Sequence, residues 1–244
     1  MVGDDEAGRT LERLTAGARV AARLYRDASM STTVKLRVLS RQQQLLRIDF
    51  ENTPSHEVLA DKLEEFVSLL PSTDVVVLSD YGKGGLAHIG SMIGAARSAG
   101  KPVLVDPKGD DYSKYGGATV VTPNQAELRE VVGRWRDEAD LAARAEALRR
   151  QLDVEAILLT RSEEGMSLFT AKGVVHEPAK AREVFDVSGA GDTVIATLGA
   201  MMALGRPLVE AMRIANLAAG VVVGKLGTAV VTPDELNAAL NAAA

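Results

Sequence analysis

The chain has 244 residues, enough to bury a sizeable core in one large α/β domain or two small ones. Charged residues make up 25% and hydrophobic residues 46% with no low-complexity tract, which excludes a disordered chain; the net charge of -5 argues against a broad nucleic-acid surface but leaves room for a local Lys/Arg cluster on a small anion. The absence of Cys excludes disulfides and cysteine metal sites, and His56, His88 and His176 lack ligand spacing.

The first ten residues, MVGDDEAGRT, lack the basic and apolar run of a signal peptide, and no stretch approaches the length of a membrane span. Partners are therefore expected to be small molecules rather than nucleic acid or membrane, and the default location is cytoplasmic. Apolar and polar residues alternate at Val34, Leu36 and Val38 and again at Leu46, Ile48 and Phe50, which predicts an antiparallel pair forming a small β lid over approximately residues 31–51. Leu59, Leu63, Phe66, Val67 and Leu70 share one face of a helix closed by Pro71. Short β-branched runs follow: DVVVLSD, KPVLVDP, ATVVTPN and EAILLTR. Between them lie helical patterns, one over about Leu86 to Ala99 ending at Gly100 and another over about Glu138 to Leu152. Strands alternating with helices predict an α/β fold with a parallel sheet covered on both faces. A hairpin, GMSLFTAKGVVHE, comes next with its turn near Lys172 and Gly173, and only helices come after it. No internal repeat or Pro/Gly-rich linker divides the chain, so residues 1–244 read as a single domain.

Each parallel strand runs into polar, glycine-bearing or proline-bearing sequence: SDYGKG, DPKG, TPNQAE and TRSEEG. In open α/β sheets ligands bind outside the carboxyl ends of the strands, so these four turns are expected to face one cleft. Their contents suit a phosphorylated ligand: Lys83 and Lys108 supply charge, Asn124 and Glu127 could hold a hydrated Mg²⁺, and Gly165 permits close backbone approach. Singly, each also reads as ordinary turn chemistry, with Asp80, Asp106 and Asn124 as caps and Lys83 as a solvated charge.

The stretch DVSGAGDTVIAT supplies what that cleft lacks. Gly189, Ala190 and Gly191 carry almost no side chain, so their N–H groups can converge on an anion at the start of a helix, where the helix dipole favours negative charge. Asp192, beside them, could take a proton from a hydroxyl as that oxygen attacks phosphorus. The plainer reading is a Gly-rich turn with an Asp cap. A dinucleotide fingerprint fails, because Val194 stands where the third Gly or Ala belongs and no strand enters the turn directly. A Walker A loop fails too, because GVVVGKLG has the wrong spacing and Leu226 replaces the hydroxyl residue.

DVSGAGDT, TPNQAE and TRSEEG together resemble the three ATP-side motifs of the ribokinase (PfkB) family of carbohydrate kinases, and the similarity runs along essentially the whole chain. VLSDYGKGGL, VDPKG, RQQQLLRIDFE and GKLGTAVVT resemble its heptose 7-phosphate branch. The resemblance implies a ribokinase-like three-layer α/β/α fold with a mostly parallel central sheet and a β lid. It implies Asp192 as catalytic base and Gly189, Ala190 and Gly191 as anion hole. It further implies that Asn124, Gln125, Ala126 and Glu127 organise Mg²⁺ and the ATP phosphates beside Lys108. Thr160, Ser162, Gly165, Asn216 and Gly227 would line the nucleotide side. Lys35, Arg37 and Arg47 in the lid, with Asp80 and Lys83, are the candidate neighbours of the sugar phosphate.

The implied reaction moves the γ-phosphate of ATP to the anomeric hydroxyl of D-glycero-D-manno-heptose 7-phosphate, on the route to ADP-heptose and the lipopolysaccharide inner core, and the implied assembly is a homodimer through the lid. Two departures stand out. Family members carry a leading segment ahead of the position matching VGDDEAG, with sheet strands and sugar contacts, so the chain as written is expected to bind ATP, to phosphorylate heptose slowly and to self-associate. A shortened, non-catalytic nucleotide binder, or a kinase for another sugar, are the competing expectations. Ser162 also stands where many members have Gly.

Overall fold

The computed structural model describes residues 1–18, 20–40, 43–50, 56–180 and 184–243. They pack as two compact units, residues 1–68 with 81–88, and residues 69–80 with 89–244.

In the first unit, helix α1 (Glu6–Gly17) starts at Asp5, whose Oδ1 accepts the Gly8 N–H at 2.8 Å. Asp5 Oδ2 also accepts the Thr32 N–H at 2.7 Å, and Thr32 Oγ1 accepts the Gly3 N–H at 2.9 Å. Gly3 is required by this crossing, since a Cβ there would lie 2.3 Å from the Met30 carbonyl oxygen. The alternating stretch forms an antiparallel ribbon, β1 (Val34–Ser40) and β2 (Gln43–Phe50), with a bulge between Val38 and Leu39. Residues 41, 42 and 51 of the expected lid lie outside the described residues. Register puts Val34, Leu36 and Val38 opposite Phe50, Ile48 and Leu46 on one face, and Lys35 and Arg37 opposite Asp49 and Arg47 on the other. Helix α2 (His56–Leu69) follows, with Leu59 buried; Val67, expected on the same apolar face, is exposed instead.

The second unit is built on strands β3 (Val76–Ser79), β4 (Val103–Asp106), β5 (Val120–Val121), β6 (Ala156–Thr160), β7 (Met166–Thr170) and β8 (Gly173–Glu177), hydrogen-bonded in that order. The first four are parallel, and β7 and β8 join as an antiparallel hairpin. Helix α3 (Ile89–Ser98) packs on β4, and α4 (Gln125–Val132) and α5 (Glu138–Gln151) pack on β6. α3 begins three residues later than its apolar pattern suggests, because turns around Gly82 and Gly84, both at positive φ, occupy the preceding segment. Helices α6 (Ala190–Ala203) and α7 (Leu208–Val223) cover the face where Leu104, Leu158 and Leu168 point, and α8 (Pro233–Ala243) packs against α7. Alternation sends Val103, Val105, Ile157 and Leu159, also buried, to the opposite face, which gives three layers. Near-continuous apolar strands follow from burial on both faces. Gly199 in α6 lets that helix sit close on β3, since a Cβ there would be 3.2 Å from Val77 Cγ2. Each fully buried Leu contributes roughly 1.5–3 kcal/mol, so the strand ends that carry polar residues are held on a stiff platform. Among the described residues no helix is long and apolar enough to cross a membrane.

Candidate functional site

Three of the predicted turns and the α6 N-terminus meet at the carboxyl edge of the sheet. β4 ends at Asp106, where burial pushes the carboxyl up to about 6, with further upward pressure from the charges of Glu127 and Asp192. The Ser79 hydroxyl, 3.2 Å away, and Lys108 oppose that shift. Asp106 is therefore the residue that links the α4 cap to the Asp192 helix start. It reads from sequence as a turn cap, and its one signal is its place at the end of an apolar strand.

The TPNQAE turn is a capping box. Asn124 Oδ1 accepts the N–H groups of Ala126 (2.9 Å) and Glu127 (3.0 Å), while Glu127 Oε2 accepts the Asn124 N–H at 3.0 Å. Asn124 is thus used as a cap, and Glu127 is the buried carboxylate of the pair. Its Oε1 accepts Lys108 Nζ at 3.0 Å, which holds the ammonium charged and raises its pKa. Gln125 Nε2 reaches Glu164 at 3.4 Å, and the Thr160 N–H donates to the Pro123 carbonyl at 3.0 Å, so the TPNQAE and TRSEEG turns lie side by side.

Ser162 takes φ +51, a left-handed conformation that glycine adopts without strain, which explains why Gly suits this position. Gly165 has φ +93, and a Cβ on it would lie 2.1 Å from the Glu177 carbonyl oxygen; the missing side chain makes room for the chain's own residues 177–179. The turn is clamped by Arg161, which sequence reasoning passed over. Its nearly buried guanidinium donates to both oxygens of Glu138 (2.7 and 2.8 Å), to Glu164 (2.8 Å) and to Ser167 Oγ (3.1 Å), and its N–H meets the Gly165 carbonyl at 2.8 Å. No local motif signals this clamp, because Glu138 is 23 residues away.

Gly189 starts α6 at φ +80, and Asp186 organises the approach by accepting the Ser188 N–H at 2.8 Å. The Phe185 N–H donates to the Val223 carbonyl at 2.8 Å and ties this turn to the end of α7. Of the three expected anion-hole donors, Ala190 N–H is engaged by the Val187 carbonyl at 3.2 Å. The N–H groups of Gly189 and Gly191 have no acceptor among the described residues. As first-turn donors of a helix they could receive an anion, and the helix dipole would add to their pull. Asp192 is exposed in the first turn of the same helix. Gly227, at φ +73, adjoins this turn through Thr228, whose Cγ2 would be 3.5 Å from a Cβ on Gly189.

Of the other expected site residues, Asp80 lies beside this group, its N–H donating to the Asp106 carbonyl at 2.9 Å. Asn216 is buried on α7 and donates to the Pro178 carbonyl at 2.7 Å, bracing the chain after β8. Asp80 is buried, with its Oδ2 accepting Lys114 Nζ and the Tyr115 hydroxyl, each at 2.8 Å. Lys35, Arg37, Arg47 and Lys83 belong to the first unit. There Arg47 chelates Asp49 (2.7 and 3.1 Å), and this contact, with smaller help from Lys35 and Lys83, holds the Asp49 carboxyl below its ordinary range. Lys35 Nζ also lies 5.7 Å from the Tyr81 ring centroid.

The donors Asp106 and Glu127 are hard carboxylate oxygens crowded by Asp192, a set that suits a divalent cation keeping most of its own water. Among the described residues no group of three or more His, Cys, Asp or Glu is placed to hold a metal ion.

Comparison with known proteins identifies the family. The model of the pfkB family carbohydrate kinases matches residues 1–235. The D-beta-D-heptose 7-phosphate kinase of Bordetella bronchiseptica is 56% identical over 97% of this chain and 75% of that protein. The bifunctional protein HldE of Methylococcus capsulatus is 53% identical over 98% of this chain and 51% of its own length, so the chain spans between half and three quarters of these relatives. Among solved structures, Arabidopsis thaliana ribokinase complexed with ribose and ATP superposes with a TM-score of 0.79 at 20% identity, covering 98% of this chain and 80% of that one. Phosphofructokinase-2 from Escherichia coli gives 0.82 at 18%, covering 99% and 80%, and both share the ribokinase-like three-layer fold. From its motifs, its sheet and these matches, the chain belongs to the pfkB family of carbohydrate kinases.

Proposed function

We propose that the chain is an ATP-dependent kinase for D-glycero-D-manno-heptose 7-phosphate, transferring the γ-phosphate to the anomeric hydroxyl in the cytoplasm, where ATP is available. The observation that carries the reading is the meeting of an exposed Asp192 and two unengaged N–H groups with the Asp106, Lys108 and Glu127 cluster. Identity above 50% to a heptose 7-phosphate kinase supports the choice of sugar.

In this reading Asp192 accepts the proton of the anomeric hydroxyl as that oxygen bonds to the γ-phosphorus. The bond from that phosphorus to the β,γ-bridging oxygen breaks, and ADP leaves. Gly189 and Gly191 donate to the transferring group, whose charge is spread over its equatorial oxygens, and Lys108 adds positive charge nearby. Mg²⁺, held by Glu127 and Asp106 in part through water, supplies charge neutralisation at the phosphates when bound. Lys35, Arg37, Arg47 and Lys83 form the basic side of the lid unit and suit the 7-phosphate.

The test is a coupled ADP-release assay with Mg-ATP and heptose 7-phosphate, ribose or fructose 6-phosphate as acceptor. A kcat/KM for the heptose at least about 100-fold above the others is expected, since buried polar groups built for one set of hydroxyls reject analogues by that order or more. Preference for another sugar would replace the substrate. Mg-ATP binding with no turnover on any acceptor would favour the non-catalytic nucleotide binder.

The lid also has an apolar face, with Val34, Leu36, Val38, Leu46, Ile48 and Phe50 all exposed. A two-stranded ribbon with one uncovered apolar face invites a partner, and we assign that partner as a second copy of the chain. Replacing Leu36 and Ile48 together by Glu is expected to convert a dimer to a monomer in sedimentation equilibrium. A dimer that survives the double change would remove the lid from the interface.

A further inference from the structure

We propose that the amino-terminal edge of the sheet carries a second binding site, for a small organic anion with an apolar body, distinct from the Asp192 site at the carboxyl edge. A cavity of about 870 Å³ opens there, among the residues leading into β4, β5 and β6, the β7–β8 turn and the first residues of α7. That volume lies in the range of small-molecule sites, roughly 300–1,000 Å³. It far exceeds what a bare inorganic anion fills. The apolar lining comes from Leu168, Val175, Leu208 and Val209.

Charge selects the ligand. Two arginines of the lining are already engaged: Arg97 with Asp153 at 2.8 Å, and Arg149 with Glu146 at 2.7 Å and the Val154 carbonyl at 2.9 Å. The side chains of Lys101 and Lys172, in the same lining, have no ion-pair or hydrogen-bond partner among the described residues. Against them stands Glu155, so the free charge around the apolar surface is positive in a chain whose net charge is -5. These lysines hold no element of the fold in place. An anionic head between them with an apolar body on Leu208 and Val209 satisfies both features. Lys101 precedes Asp106 by five residues along an extended strand, about 17 Å, so a ligand here does not touch the reacting groups.

The probe is 8-anilinonaphthalene-1-sulfonate, an aromatic anion whose emission rises and shifts to the blue on leaving water, titrated into the whole chain. One equivalent is expected to bind in the presence of saturating Mg-ATP, with affinity falling as salt is raised. Replacing Lys101 and Lys172 together by Glu, on the surface where folding is undisturbed, should weaken binding about tenfold or more. Uncharged N-phenyl-1-naphthylamine, with the same body and no sulfonate, should lose a similar factor. Val209→Trp, at a lining position in the first turn of α7, should block the dye while leaving Lys101 and Lys172 in place. Unchanged affinity in either variant, or complete displacement by Mg-ATP, would place the dye elsewhere and overturn the site. Equal binding of the uncharged analogue would overturn its selectivity for an anion.

Discussion

Asp192→Asn is expected to lower kcat by about 10²–10⁴-fold while KM for ATP stays within about twofold, the pattern of a lost general base. The side chain keeps its shape and its place in the first turn of α6, and loses only its capacity to take a proton and its charge. Removing one negative charge from a helix N-terminus costs about 0.3–1 kcal/mol, whereas the expected rate loss corresponds to about 3–5 kcal/mol at the barrier. A fall in stability is therefore too small to imitate the effect. Single-turnover kinetics with Mg-ATP and the sugar separate the chemical step from product release, and the loss should appear in that step. Turnover within threefold of the parent would remove Asp192 from the mechanism and return the stretch to a Gly-rich turn with an acidic first-turn residue.

What the sequence discloses follows from how local each feature is. The parallel strands β4, β5 and β6 are legible because burial on both faces makes them unbroken apolar runs, and their ends are legible because polar turns interrupt those runs abruptly at Asp106, Asn124 and Arg161. The α4 cap is legible too, since Asn124 and Glu127 are three residues apart and their mutual bonds are local. Helix α1 escapes notice because its buried side is chiefly Gly8, which carries no hydropathy signal, and its start depends on Thr32, 27 residues from Asp5. The plain reading and the functional one also coexist: Asn124 caps a helix, and by doing so it fixes Glu127 where its other oxygen meets Lys108. Reach across the chain is what hides the rest. Arg161 acts on Glu138, Asn216 on Pro178, and Asp106 owes its raised pKa to burial and to carboxylates 21 and 86 positions further on, none of which a window of neighbouring residues can show.

Asp106→Asn should raise stability and lower activity together. The parent carboxyl titrates near 3.8 when unfolded and near 6 in the folded chain, chiefly because burial disfavours its charge. Below about pH 3 it is neutral in both states, and as pH rises from about 3 to 6 the unfolded chain releases the proton first, so folded stability declines across that window and stays lower above it. Asparagine has no proton to lose and escapes the decline. At about 1.4 kcal/mol per unit, discounted because the carboxyl keeps contact with water, the gain at pH 7.5 is about 1–2 kcal/mol, or roughly 3–6 °C in melting temperature for a chain of this size. Measured in EDTA without nucleotide, the advantage should shrink toward zero as pH approaches about 3. With Mg-ATP the order reverses, because the carboxylate that costs stability in the free protein is a donor to the cation in the proposed site; kcat/KM should fall at least about tenfold and the Mg-ATP thermal shift should diminish. Glu127→Gln supplies the contrast. Glu127 satisfies the Asn124 N–H and the Lys108 ammonium, so its loss should lower the melting temperature as well as the activity. A variant at Asp106 that melts like the parent at pH 7.5 and turns over normally would show that this carboxyl neither bears the burial penalty nor meets the cation.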